Sequence, residues 1–169
     1  LIALGNGINV LIARYLGQRN SKNVHDALHT SFVLSINMGI ILFLLGFFFS
    51  KYLLIWLKTK DEFIDGATLY LKIYFIGAPF LMIYNFGSAI MRALGDSSKP
   101  LIILLISGLI NVLFNIIFTY FFNMDVSGVG WATVISEAVS AVFVIFFLFR
   151  SKIFVKLSLK KIRLYKTET

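Results

Sequence analysis

Polar side chains recur at helical spacing inside apolar runs of this sequence. Ser107, Asn111, Asn115 and Thr119 follow one another at steps of four, and Thr133, Glu137 and Ser140 at steps of four and three. Each set occupies one face of a helix. A short connection makes the two helices antiparallel neighbours, so amide, hydroxyl and carboxylate oxygens can face one another. Such oxygens suit a hard cation such as Na⁺, or a protonatable carboxyl with hydrogen-bond partners. Ser107, Thr119 and Ser140 read as hydrogen-bonding glue between helices, worth ~0.6–2 kcal/mol each; Asn111 and Asn115 suit either role. Glu137 is harder to assign to packing. It stands seven residues into its run, where a charged carboxyl costs ~2–3 kcal/mol or more.

A third run carries Tyr70, Tyr74, Asn85 and Ser88 as polar tips around Gly77-Ala78-Pro79. Pro79 has no N–H to give the Phe75 carbonyl, which predicts a kink there. His25 and His29 form an i, i+4 pair, a spacing that holds a metal when a third ligand joins. None accompanies them, and the pair reads as exposed polar decoration. No nucleophile–His–acid set, HExxH or phosphate-binding glycine loop is present, so the chain is read as a non-enzyme.

These groups sit in a chain built for lipid. Its 169 residues are 59% hydrophobic and 14% charged, against about 45–50% and about 25% in soluble domains. Mean hydropathy is +0.87. The class that follows is an all-α integral membrane bundle. Apolar runs give five transmembrane helices, at about 1–16, 31–57, 67–94, 101–122 and 130–149. Residues 14–29 read as a polar turn. In the 92–100 hairpin, Gly95 takes the left-handed position, Asp96–Ser98 cap the next helix, and Pro100 fits its first turn. There is no cysteine, so neither disulfides nor thiolate metal sites arise. The start at Leu1, inside an apolar run, reads as that of a fragment.

Net charge is +8, but its distribution argues against nucleic acid. Seven of the sixteen basic residues lie at 150–169, and most others fall between apolar runs. Residues 14–29, the 92–100 loop and the tail share one side and together hold twelve Lys and Arg. The other side has Lys51, Lys58 and Lys60, set against Asp61, Glu62 and Asp65. The positive-inside rule makes the tail side cytoplasmic.

Three segments, in order, carry a family resemblance. Leu11–Asn20 (LIARYLGQRN) is similar to the end of the second helix and following loop of the multidrug and toxic compound extrusion (MATE) family. Met91–Pro100 (MRALGDSSKP) resembles its loop between helices four and five. Asn111–Asn115 (NVLFN) and Gly128–Ser136 (GVGWATVIS) resemble its fifth and sixth helices. The resemblance implies helices two to six of one six-helix lobe in a two-lobed, twelve-helix transporter. Residues 150–169 would then be the basic cytoplasmic inter-lobe linker, and the lobe would pack against an absent helix one and a C-terminal lobe. It also implies a multi-pass plasma-membrane antiporter, without cofactor, that exports drugs or amphiphilic organic cations for Na⁺ or H⁺ by alternating access.

Residue by residue, Asn85, Asn111 and Thr133 match positions of the family's ion site, and Tyr70, with Tyr74 one turn on, matches its cavity wall. Asn115 stands where many members have a second Asp. Glu137, one turn beyond Thr133, is an independent candidate to supply the charge. A lipid-linked precursor flippase is the alternative within transport, although away from the cytoplasmic ends of the runs, and with the clean core of the second ending at Ser50, Lys72 near the outer end of its span is the one Lys or Arg inside. A non-transporting membrane subunit, with stripes used only for packing, is the alternative outside it.

Overall fold

A computed structural model describes residues 2–18 and 21–150. Arg19 and Asn20, and the basic stretch 151–169, lie outside the described residues. Five helices follow in order: α1 (Ile2–Gly17), α2 (Ser21–Trp56), α3 (Asp61–Ala93), α4 (Ser98–Ile116, continued by a π-helical turn, Ile117–Phe121) and α5 (Val126–Arg150). Among the described residues four spans are long and apolar enough to cross a bilayer: Asp26–Trp56, Asp61–Ala93, Ser98–Phe121 and Val126–Arg150. With 16 residues, α1 is shorter than the ~20 that a crossing needs. This is an all-α, multi-pass membrane bundle.

Several helices start earlier than their apolar runs. Most of the 14–29 segment is helical and not turn: α1 runs to Gly17, and α2 begins at Ser21, where Val24, Ala27 and Leu28 form an apolar face buried in the core. His29 is buried beside them, not exposed. Asp61 and Glu62 extend α3 backwards, as acidic residues favour a helix N-terminus. α4 starts at Ser98, and α5 at Val126 instead of Gly130.

The connections obey local rules. Asp96 N–H bonds to Met91 O and Gly95 N–H to Arg92 O, both at 3.0 Å, with Gly95 at φ +84°. This is a Schellman ending, which needs the left-handed conformation that glycine adopts freely. Asp96 then accepts the Lys99 backbone N–H at 3.1 Å and pairs with its ammonium group. After α2 the same motif recurs with Lys58 at φ 55°, a position that suits glycine better.

The bundle is organised around α3, which packs on α1, α2 and α5; α4 lies on α5 and barely touches α3. Close approach comes from glycines. Gly39 of α2 faces the Pro79 backbone and Gly46 the Phe75 ring, while Gly130 of α5 receives Ile73 and Gly87 of α3 receives Val144. Small residues at such seats are how helices associate in lipid, where no hydrophobic force separates helix from solvent. α3 remains one continuous helix through Pro79.

At the far end of α4 the ladder widens by a residue, Phe122 N–H reaching Ile117 O at 3.3 Å. The wider turn rotates the following side chains. Thr119 is therefore exposed and leaves the stripe, which ends at Asn115.

Candidate functional site

α4 and α5 bring their polar stripes together. Asn111 Nδ2 donates to Thr133 Oγ1 and to Ser136 Oγ, both at a long 3.4 Å, and Asn115 Nδ2 donates to Asn111 Oδ1 at 3.0 Å. The hydroxyl protons are spent locally: Thr133 bonds to Val129 O at 3.0 Å and Ser136 to Thr133 O at 2.8 Å. The hydroxyl oxygens of Thr133 and Ser136 therefore face α4 as acceptors. Asn115 Oδ1 is buried with no hydrogen-bond partner among the described residues. An amide–hydroxyl cluster with spare oxygen lone pairs results.

Ser107 and Ser140 do not bridge helices as the glue reading expects. Ser107 bonds to Ile103 O and Leu104 O, and Ser140 to Ser136 O, each within its own helix. Both still line a cavity of about 320 Å³ bounded by α3, α4 and α5. Asn111, Thr133 and Ser136 line it too, as does Glu137.

Glu137 lies deeper than its sequence position suggested. It is eleven residues from the start of α5, about 16 Å at 1.5 Å per residue. On the helix wheel it falls at the edge of the stripe, turned toward α3. There its Oε2 rests against Gly77, where any Cβ would collide with it. That oxygen is buried with no hydrogen-bond partner, and no ion pair reaches the carboxyl, among the described residues.

Tyr70, Tyr74 and Asn85 do not line the 320 Å³ cavity, whose α3 wall is Leu81 and Tyr84. They share its side of the helix nevertheless. At 100° per residue, Tyr70, Tyr74, Leu81, Asn85 and Ser88 fall within a sector of about 60° on α3. The Tyr70 and Tyr74 rings stack, with centroids 6.2 Å apart and planes at 25°. Tyr84 donates to Pro100 O at 3.1 Å, tying α3 to the start of α4.

Two contributors escaped the sequence reading. Ser136 falls outside the 133–137–140 spacing, but the 133–136–140 spacing marks the α4-facing edge of α5 equally well. Tyr84 carried no signal beyond its type. Among the described residues no group of three His, Asp or Glu could hold a metal.

The profile of the MatE family matches residues 1–117. The chain belongs to the MatE family. Among its relatives, YpnP of Bacillus subtilis (strain 168), named as a probable multidrug resistance protein, is 31% identical over 153 residues, covering 90% of this chain and 34% of the relative. The multidrug export protein MepA of Staphylococcus saprophyticus is 27% identical over 173 residues, covering 96% and 37%. An inward-facing MATE multidrug resistance transporter superposes with TM-score 0.84 at 25% identity, over 89% of this chain and 34% of that one. An outward-facing one gives 0.88 at 24%, over 98% and 37%, a likeness of fold. The MatE chain thus spans about a third of the length of the relatives it matches.

Proposed function

We propose that the full-length protein carrying this MatE chain exports drugs or other amphiphilic organic cations in exchange for Na⁺ or H⁺, by alternating access between two lobes. The carrying observation is that Asn111, Thr133 and Glu137, from two membrane-crossing helices, border one cavity. Intramembrane polar groups that gather on a cavity mark ion and substrate paths. In this reading Asn85, Asn111, Asn115 and Thr133 offer oxygens to the coupling ion. Glu137 brings negative charge to the same space, and Tyr70 and Tyr74 line the substrate path. The names of YpnP and MepA support drug export. The basic residues after Arg150 would lie on the cytoplasmic side of the cell membrane and lead to a second lobe.

Efflux of an organic cation is measured in cells making the full-length protein, with and without Asn111→Ala. Wild type should lower accumulation in response to an imposed Na⁺ or pH gradient, and Asn111→Ala should blunt that response. Gradient-independent efflux, or an Asn111→Ala variant equal to wild type, would remove Asn111 from ion coupling. Absence of efflux from correctly inserted protein would remove the exporter reading itself.

A further inference from the structure

We propose that Lys51, Lys72 and Trp131 form a seat for the phosphate of an anionic phospholipid, in a furrow that α2 and α5 wall and α3 floors. The seat is on the other flank of the α3–α5 pair from the polar cavity, and it is independent of what the lobe transports.

Packing makes the furrow. α3 meets α2 through Phe75 and Pro79, and α5 through Ile73 and Gly77, while α2 and α5 do not pack on each other among the described residues. Between those two sets of contacts α3 leaves a strip: at 100° per residue, Lys72, Ile76 and Ile83 fall within about 40° of one another. Phe43, Phe47 and Lys51 run along the adjoining flank of α2, within about 80°. On α5, Trp131 lies about 100° beyond Gly130, on the side away from Thr133 and Ser136. Gly130 receives Ile73, so their chain neighbours Trp131 and Lys72 stand at one depth.

Charge argues for the occupant. Lys72 is half-buried, with its ammonium over the Phe47 ring at 5.5 Å. No carboxylate pairs with it or with Lys51 among the described residues. Asp61, Glu62 and Asp65 stand about two turns or more from Lys72, toward the start of α3. A cation inside a span is costly and takes a partner, and one aromatic face offsets only part of that cost. Phe47 is one turn deeper than Lys51, so the two ammonium groups lie close in depth, on long flexible stems that bring them to one phosphate. The Trp131 indole N–H adds a donor, from a residue type that favours the membrane interface. Two cations and an N–H suit a phosphodiester whose headgroup carries no cation of its own. Deeper than the lysines the furrow is apolar, with the Phe43 and Phe47 rings 5.6 Å apart beside Ile76 and Ile83. That strip gives an acyl chain a path which a free phosphate would leave uncovered.

The test uses purified full-length protein in dodecyl maltoside, titrated with dioleoylphosphatidylglycerol or dioleoylphosphatidylcholine. Native mass spectrometry reads the affinity of the tightest lipid site. Phosphatidylglycerol should bind at least about fivefold more tightly than phosphatidylcholine. Lys72→Gln and Lys51→Gln should each weaken phosphatidylglycerol by roughly fivefold, the equivalent of about 1 kcal/mol for one lysine at an anionic surface. Neither should alter phosphatidylcholine, and Lys72→Arg should retain the anionic lipid. Trp131→Phe, which keeps a ring and loses the N–H, should weaken it by about twofold or more. Lys60→Gln removes the same charge from the same end of the bundle, outside the furrow, and should leave affinity unchanged. Equal binding of the two lipids overturns the seat. So does a Lys60→Gln loss as large as that of Lys72→Gln, which would reduce the attraction to net charge. Unchanged affinity in both Lys51→Gln and Lys72→Gln overturns it as well, as does displacement of the lipid by inorganic phosphate, the mark of a site for the free ion. If Lys72→Gln fails to insert, Lys51→Gln and Trp131→Phe decide, and wild-type affinity in both overturns the seat.

Discussion

Adding one methyl group at two glycines of the bundle should have opposite consequences. At Gly39, an alanine Cβ would meet the Pro79 backbone. Neither a helix backbone nor a proline ring can step aside, so α2 and α3 must separate. Overpacking of this kind costs about 1–3 kcal/mol, and with backbone on both sides the upper end applies. Alanine recovers about 1 kcal/mol of helix propensity, leaving Gly39→Ala less stable by about 2 kcal/mol. At Gly77 the obstacle is the Glu137 carboxyl oxygen, the tip of a flexible side chain, with Val134 Cγ2 at an ordinary 3.5 Å. Displacing it costs about 0.5–1.5 kcal/mol of rotamer strain, which the same propensity gain offsets. Gly77→Ala should therefore unfold like wild type while its carboxyl is expelled from the α3–α5 seam. Thermal unfolding of the purified full-length protein in detergent reads both effects. Equal destabilisation by the two substitutions would refute the picture of a mobile carboxyl on a glycine seat.

Two loop predictions follow. Lys58 holds a left-handed φ of 55°, so Lys58→Gly should raise stability by about 1 kcal/mol, visible as a higher unfolding midpoint; a drop would mean that its side chain has a role the backbone does not reveal. Hydrogen bonds from the Lys99 side chain and backbone hold the Asp96 carboxyl below its ordinary value of 3.8. Because the folded state favours the charged form, the loop's contribution is whole above that ordinary value and is lost as pH falls through the lowered one. Exchange of the Lys99 amide, corrected for intrinsic rate, should quicken below about pH 4 in wild type but not in Asp96→Asn; equal profiles would show that this cap does not hold the turn.

Much of the architecture was legible because lipid leaves a chain few choices. Backbone groups must bond within their own helix, so five apolar runs became five helices in the expected order. The misjudged boundaries share a cause. Ser21–Thr30 and Asp61–Gly66 are polar by composition, yet they extend helices whose apolar faces or terminal charges suit them. The meeting of Asn111 with Thr133 followed from spacing alone, since a stripe on each of two antiparallel neighbours leaves few ways to pair. Thr119 departs from its stripe because the π-helical turn at Ile117–Phe121 shifts the phase of the helix. The Gly77 seat of Glu137 was illegible for a related reason. It joins residues 60 positions apart, and helical periodicity relates only neighbours in one element. His29 could not be identified as buried while its segment was read as a turn.

Water access to single thiols on α4 and α5 tests the facing of the stripes most directly, because this chain has no cysteine of its own. Asn111→Cys on α4 and Ser136→Cys on α5 should react with a water-soluble methanethiosulfonate reagent at least about tenfold faster than Leu109→Cys and Val112→Cys, since the reactive thiolate forms only where water reaches. Leu109 and Val112 are 73% and 57% exposed on the outer face of α4, which lipid covers in the membrane. Equal rates at all four positions, or faster reaction at Leu109→Cys, would mean that the hydrophilic sides of α4 and α5 do not enclose an aqueous pocket.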